Sequence, residues 1–243
     1  MAREYIARDP RTGKRIGSGK KGSGRGVGFA ALTPDSGPWQ RLEPHDILPL
    51  ANGEAGKVEI LADGKRWLLG RIDAIKALSR VPGNDTERAY DSLVDALEDD
   101  FPDVRIAALK TLPSFSLRRQ GILLHCLSDR LVDDDESVRE EAMTCLKKVA
   151  PLFPSGCEEI LRRELRDSRK DHRGNAFEAL KLASREWPEV GCLHLDELIR
   201  EEEDDLRIRG STILRTIASK GGAEAWDLIG WSLQDEEVRV RRN

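Results

Sequence analysis

An arginine recurs at a fixed interval along most of this 243-residue chain. Five of these arginines are spaced 34 residues apart, and a sixth, Arg239, follows 32 residues after the fifth. The five are Arg71, Arg105, Arg139, Arg173 and Arg207. A guanidinium binds carboxylates and phosphates in a two-pronged geometry, so such a row could bind phosphate groups of a nucleic acid or a phosphoprotein. The alternative is that the arginines belong to the fold.

Acidic residues recur with the same period and favour the structural interpretation. An acid stands six residues before four of the arginines, at Asp99, Asp133, Asp167 and Glu201. An arginine in the first turn of a helix opposes the helix dipole, so a nearby carboxylate is needed to hold it there. We therefore predict that arginine and acid pair at each turn and tie one unit to the next.

The apolar positions around the arginines predict two helices in each unit. A small residue follows each arginine after three positions, at Ala74, Ala108, Ala142, Ala176 and Gly210. A leucine follows after seven, at Leu78, Leu112, Leu146, Leu180 and Leu214. Earlier in each unit stand apolar pairs four residues apart, namely Leu93/Leu97, Leu127/Leu131, Leu161/Leu165 and Leu195/Ile199. These spacings place one apolar stripe on each helix, and such a hairpin buries its stripe only by stacking on its neighbours.

The segment "LVDALEDDFPDVRIAALKTL" (93–112) resembles a unit of the HEAT repeat, in particular the variant of prokaryotic proteins related to phycobilisome lyases. The resemblance implies an all-α fold, a right-handed α-solenoid of five to six HEAT-like helical hairpins. The first unit has Lys65 in place of the acid and a degraded first helix, and the last unit is incomplete. The predicted units cover about 54–81, 85–115, 117–152, 155–188, 190–220 and 222–243.

Residues 1–50 predict a flexible basic N-terminal tail and linker, and residues 51–243 the repeat domain. The first 30 residues hold eight Lys/Arg against Glu4 and Asp9, whereas the whole chain has a net charge of −4. The "GSGKKG" of this tail follows no apolar strand, so it does not predict a dinucleotide site. Its cations could contact the phosphates of RNA, DNA or a ribosome, or the tail could be a solvated linker. The candidates are Arg11, Lys14, Arg15, Lys20, Lys21 and Arg25.

A second set of cations lies in the later half of the second helices. The set consists of Lys76, Lys110, Lys147, Lys148, Lys181 and Arg215. In HEAT-type solenoids these helices line the concave side, so the resemblance implies a mildly basic groove for an acidic partner. The alternative is that cations near helix C-termini merely suit the helix dipole.

No motif in the chain predicts catalysis, a cofactor or a bound metal. The four histidines are scattered, the four cysteines form no CxxC pair, and no stretch is apolar over the roughly 20 residues that cross a membrane. We therefore predict a non-enzymatic, cytoplasmic scaffold or adaptor that binds a protein partner and no membrane. The alternative is a nucleic-acid-binding or ribosome-associated protein that uses its tail. The sequence does not predict an oligomeric state.

Overall fold

The structure, a computed structural model, describes residues 37–62, 64–115, 120–218 and 220–243. These residues form α-helices, short 3-10 helices and one pair of strands. The helices are α1 (Pro44–Ala51), α2 (Arg71–Ala77), α3 (Thr86–Leu97), α4 (Pro102–Thr111), α5 (Gln120–Arg130), α6 (Glu136–Val149), α7 (Pro154–Glu164), α8 (Lys170–Glu186), α9 (Pro188–Leu198), α10 (Asp204–Ser211), α11 (Leu214–Ile217), α12 (Gly222–Ser232) and α13 (Val238–Arg242). The strands are β1 (Val58–Ala62) and β2 (Lys65–Leu69). The 3-10 helices are Pro38–Arg41, Leu78–Arg80, Gly83–Asp85 and Leu112–Phe115.

The helices begin where the sequence supplies starting residues. Pro102, Pro154 and Pro188 open α4, α7 and α9, where a missing backbone N–H costs no hydrogen bond. The side chain of Asp135 accepts a hydrogen bond from the backbone N–H of Val138 and caps α6. The turns between helices are therefore short and fixed by local chemistry.

The helices stack in two rows, which makes the chain an all-α solenoid. The second helices α2, α4, α6 and α8 pack one on the next, and the first helices α3, α5, α7 and α9 form the other row. The small residues of the repeat lie in the core, because Ala74, Ala108, Ala142 and Ala176 are completely buried. At Gly210 an added Cβ would stand 3.0 Å from Cβ of Leu198, so the backbones approach closely there. The predicted hairpin solenoid is confirmed.

The described segment before residue 51 packs on the first repeat. All the described residues belong to one compact unit. The 3-10 helix Pro38–Arg41 and α1 bury Trp39, Leu42 and Ile47 against the first repeat. The first 50 residues are rich in glycine and proline, but the large apolar residues near the end of this segment are buried in the core.

A β-hairpin replaces the degraded first helix of the first unit. Strands β1 and β2 pair antiparallel, with Val58 opposite Leu69 and Ile60 opposite Trp67. Gly64 lies in the connecting turn with a φ of 71°, a conformation that suits glycine. Side chains along a strand alternate between its two faces, and in β1 Val58 and Ile60 are half-buried whereas Glu59 and Leu61 are exposed. A search for helical periodicity does not detect this pattern. Among the described residues, no helix combines the length and the apolar character needed to cross a membrane.

Candidate functional site

The repeat arginines bridge adjacent units through a buried network. Arg105 is 9% exposed, and its Nη1 donates to the backbone oxygens of Asp99 at 2.7 Å and Asp100 at 3.1 Å. Its Nη2 donates to Oδ1 of Asp133, in the following unit, at 2.8 Å. Arg105 thus ties the turn of its own unit to the turn of the next.

The ion pair to the next unit recurs at Arg71 and at Arg207. Arg71 pairs with Asp99 of the next unit at 2.6 Å. Arg207 pairs with Asp235 of the next unit at 3.1 Å and donates to the backbone oxygen of Glu201, six residues before it. The carboxylate that lies six residues before an arginine therefore binds the arginine of the preceding unit. Arg105 and Arg207 instead donate to the backbone oxygen of the residue six positions before them. The sequence predicts that each carboxylate pairs with the arginine six residues after it, whereas these ion pairs run between units.

Asp133 shows how the network affects ionisation. Burial of its side chain opposes ionisation, but hydrogen bonds from Arg105 and from the backbone N–H of Asp135 outweigh that effect. The pKa of the Asp133 carboxyl is therefore lowered. The Asp133 carboxylate is therefore held in its ionised form within the network.

The sixth arginine of the row is Arg241 and not Arg239. Arg241 follows Arg207 by the regular 34 residues, and its Nη1 donates to the backbone oxygens of Asp235 and Glu236. Arg239 instead pairs with Glu237 at 3.0 Å at the exposed start of α13. The sequence contains both arginines two positions apart, and only the backbone contacts distinguish them.

The row is interrupted at Arg139. Its Nη1 donates to the backbone oxygens of Asp133 and Asp134, as the pattern requires. Asp167, the acid that should complete the bridge, is bound by Arg169 instead, with Nη2–Oδ2 at 2.6 Å and Nε–Oδ1 at 2.9 Å. Among the described residues, no carboxylate forms an ion pair with Arg139.

The following unit also departs from the expected pairing. Arg173 pairs with Glu203 at 3.1 Å and Asp205 at 2.8 Å. The side chain of Glu201 lies elsewhere and accepts from Nε of Arg166 at 2.7 Å. The run of acids after α9 offers several carboxylates within reach of one arginine, so sequence position alone does not select among them.

Arg139 lines an open groove between α6 and α8 with a volume of about 460 Å³. Lys147 and Arg169 add positive charge, and Nζ of Lys147 donates to Oδ1 of Asn175 across the two helices at 2.6 Å. Acids also line the groove, so its charge is mixed. The full lining is Glu136, Arg139, Glu140, Met143, Thr144, Lys147, Arg169, Asp171, His172 and Asn175.

Of the six cations predicted to contact a partner, Lys147 lines this groove. Lys110 lies 3.7 Å from Glu141, Lys181 lies 3.9 Å from Glu178, and Nε of Arg215 donates to the backbone oxygen of Asn243. Lys76 is half-buried on α2, and Lys148 is exposed on α6. The predicted tail contacts, Arg11, Lys14, Arg15, Lys20, Lys21 and Arg25, lie outside the described residues.

A polar cluster that the sequence did not reveal lies where α7 turns into α8. Oxygen atoms of Glu164 and Asp167 and a ring nitrogen of His172 lie within 4.8 Å of one another. Glu164 is 1% exposed. A comparison of the repeat units would have indicated this cluster, because the next unit carries Leu198 and Leu206 at the positions equivalent to Glu164 and His172. In this unit a carboxylate and an imidazole therefore occupy positions that are apolar in the next unit.

The cysteines and the remaining buried histidine have no environment that would make them reactive. All four thiols are free and buried, and burial raises the pKa of Cys157 to about 12 and also raises that of Cys145. Burial lowers the pKa of His194, and neither of its ring nitrogens has a hydrogen-bond partner. Neutral thiols are poor nucleophiles, so these groups pack as core residues.

Comparison with known proteins finds likeness in structure alone. No protein-family model matches the chain, and no curated protein matches it. The archaeal HEAT-like repeats protein from Thermococcus onnurineus NA1 is similar, with 13% identity over 85% of this chain and 78% of that chain and a TM-score of 0.44. A designed armadillo repeat protein in complex with the peptide (KR)4 is 15% identical over 83% of this chain and 96% of that one, with a TM-score of 0.40. Computationally designed armadillo repeat proteins for modular peptide recognition are 16% identical over 82% and 96%, with a TM-score of 0.39.

Proposed function

We propose that this chain is a non-enzymatic repeat scaffold that binds an extended, acidic segment of a protein partner along its row of second helices. The observation that carries the proposal is the interrupted bridge at Arg139. At Arg71, Arg105 and Arg207 an acid of the next unit binds the guanidinium, but at Arg139 that acid is taken by Arg169. The guanidinium of Arg139 therefore keeps donor capacity toward the groove, where a carboxylate of a partner would satisfy it.

The surroundings of Arg139 support an extended segment over a small ligand. The groove is open and lies between two helices whose neighbours continue the same row. Lys147 and Arg169 would receive acidic side chains, and Glu136 and Glu140 would accept hydrogen bonds from backbone N–H groups of the segment. Binding energy in such a surface is spread over several repeats.

The proposal is tested with labelled decapeptides that carry two glutamates at different spacings, measured by fluorescence anisotropy. We expect a subset of spacings to bind the full chain. Changing the peptide glutamates to glutamine, or making Arg139→Gln in the chain, should each weaken binding about tenfold, because each removes a charge-assisted hydrogen bond.

Arg88→Gln is the matched control, because Arg88 is 65% exposed on α3, away from the groove, and pairs with nearby Asp85. This variant should bind like the unchanged chain. Equal weakening by Arg88→Gln and Arg139→Gln would show that net charge, and not the groove, attracts the peptides. Binding that is unaffected by Arg139→Gln would overturn the proposal.

A cytoplasmic location stays a prediction. It is supported by the four free, buried thiols, because a reducing compartment keeps cysteines in this state.

A further inference from the structure

We propose that Glu164, Asp167 and His172 form a binding site for a divalent transition-metal ion, with Zn²⁺ as the best-suited ion, at the turn between α7 and α8. The three residues close one hairpin, since Glu164 ends α7, Asp167 lies in the turn and His172 lies in the first turn of α8. A metal bound there would fix the two helices of this unit relative to each other. This inference does not depend on the proposed peptide binding.

Two buried atoms without hydrogen-bond partners mark the place where a metal ion would bind. Oε2 of Glu164 and Nδ1 of His172 face each other at 3.8 Å, and neither accepts or donates a hydrogen bond within the described part of the chain. Leaving both atoms unsatisfied is costly in the interior. Ligand atoms that share one Zn²⁺ at bond lengths of about 2.0–2.2 Å stand roughly 3–4 Å apart, so the observed separation accommodates an ion between them.

Asp167 provides the third ligand. Its Oδ1 accepts from the backbone N–H and from Nε of Arg169, whereas its Oδ2 accepts from Nη2 of Arg169 alone. Oδ2 therefore retains a lone pair that can bind a metal. The guanidinium of Arg169 is 39% exposed, so it can turn toward solvent when a cation arrives.

Arginine also orients the Glu164 carboxylate. Nε of Arg163 donates to Oε1 at 2.8 Å, which leaves Oε2 directed at His172. A hydrogen bond to the non-coordinating oxygen is a common support for a metal ligand. The donor set of one imidazole and two carboxylates suits Zn²⁺ better than Ca²⁺ or Mg²⁺, which prefer oxygen ligands alone.

The repeat shows that a hairpin of this kind can pack without Glu164 and His172. The following unit fills the equivalent core positions with Leu198 and Leu206, both buried. A hairpin of this kind therefore folds with an apolar pair in place of Glu164 and His172. The same comparison supplies a variant that should keep the fold and lose the site, Glu164→Leu with His172→Leu.

The test is isothermal titration calorimetry of the full chain with Zn²⁺, together with thermal unfolding with and without the ion. We expect one Zn²⁺ per chain and a rise in Tm of about 5 °C at an ion concentration well above Kd, because the ion binds the folded state. The E164L/H172L variant should keep a cooperative transition and lose both effects. Ca²⁺ should give no comparable rise.

A surface pair of the same chemistry serves as the control. His125 and Asp129 lie 3.7 Å apart, and both side chains are more than half exposed. The H125Q/D129N variant should bind Zn²⁺ as the unchanged chain does. The proposal is overturned if Zn²⁺ fails to raise Tm, if it lowers Tm by binding thiols of the unfolded chain, or if E164L/H172L binds the ion as tightly as before.

Discussion

At the scale of single residues, the repeat depends on what a guanidinium can do and an ammonium cannot. Arg105 makes hydrogen bonds to two backbone oxygens and one carboxylate at once, from a planar group with fixed donor directions. A lysine at this position has one nitrogen and could not reach all three acceptors. The recurring arginine therefore cross-links the turns of adjacent units. Arg139 differs, because it contacts the turn of its own unit and Asp167 of the next unit is bound by Arg169.

We predict that Arg105→Ala lowers the free energy of unfolding by about 3 kcal/mol, because it leaves the Asp133 carboxylate without its main buried partner. Arg139→Ala should cost less than about 1 kcal/mol, because no carboxylate in the described part of the chain forms an ion pair with Arg139. Urea unfolding followed by circular dichroism measures both values. Equal losses would mean that the two arginines stabilise their units alike and that the contrast between them has no energetic meaning.

At the scale of elements, the first repeat is built differently from the others. A β-hairpin and the segment before it take the place of a regular first helix, and Trp39 packs with α2 and β1 through the 3-10 helix Pro38–Arg41. Nη1 of Arg80 donates to the backbone oxygen of Trp39, which fixes the segment to the end of the first repeat. This segment therefore packs on the first unit and adds Trp39 to its core.

We predict that Trp39→Ala destabilises the chain by about 3–5 kcal/mol, the usual cost of removing a buried aromatic side chain. Trp226→Ala is the matched control, because Trp226 is 66% exposed. A chain that begins at Pro34 should unfold like the full chain, whereas one that begins at Pro44 should resemble Trp39→Ala. Thermal unfolding of the four proteins checks this, and a fully stable chain from Pro44 would show that Trp39 and its 3-10 helix do not stabilise the repeats.

At the scale of the whole molecule, charge divides the chain. The first 30 residues have a net charge of +6, and the rest of the chain has a net charge of −10. A cationic segment rich in glycine can approach phosphates closely, and the main signature of such binding is its steep dependence on salt. Contact with RNA or a ribosome through this segment stays a prediction.

We predict that any RNA binding depends on the six tail cations Arg11, Lys14, Arg15, Lys20, Lys21 and Arg25. If they contact phosphates, the affinity for oligo(U) should fall by about a hundredfold between 50 and 200 mM salt and should vanish when all six become glutamine. Fluorescence anisotropy measures both effects. Binding that persists in the glutamine variant would exclude the tail as the nucleic-acid contact.

The sequence by itself determined the architecture, because the architecture is periodic. Arginines, small residues and leucines at intervals of 34 predict stacked hairpins without knowledge of any contact, since the same helix–helix interface is used again and again. The ends of the array were harder to predict. A strand pair has a different period, and a single tryptophan such as Trp39 carries no periodic signal.

Only the tertiary structure decided how the charged residues pair. A row of acids and a row of arginines with the same period allow pairing within a unit or between units, and sequence distance cannot distinguish them. In the structure Asp133 pairs with Arg105 of the preceding unit, whereas Asp167 pairs with Arg169 and not with Arg139. It also brings Glu164 and His172 together. They are eight positions apart along the chain, and 3.8 Å separates Oε2 from Nδ1 in space. Side-chain direction at a turn depends on local backbone geometry, which no count of residues supplies.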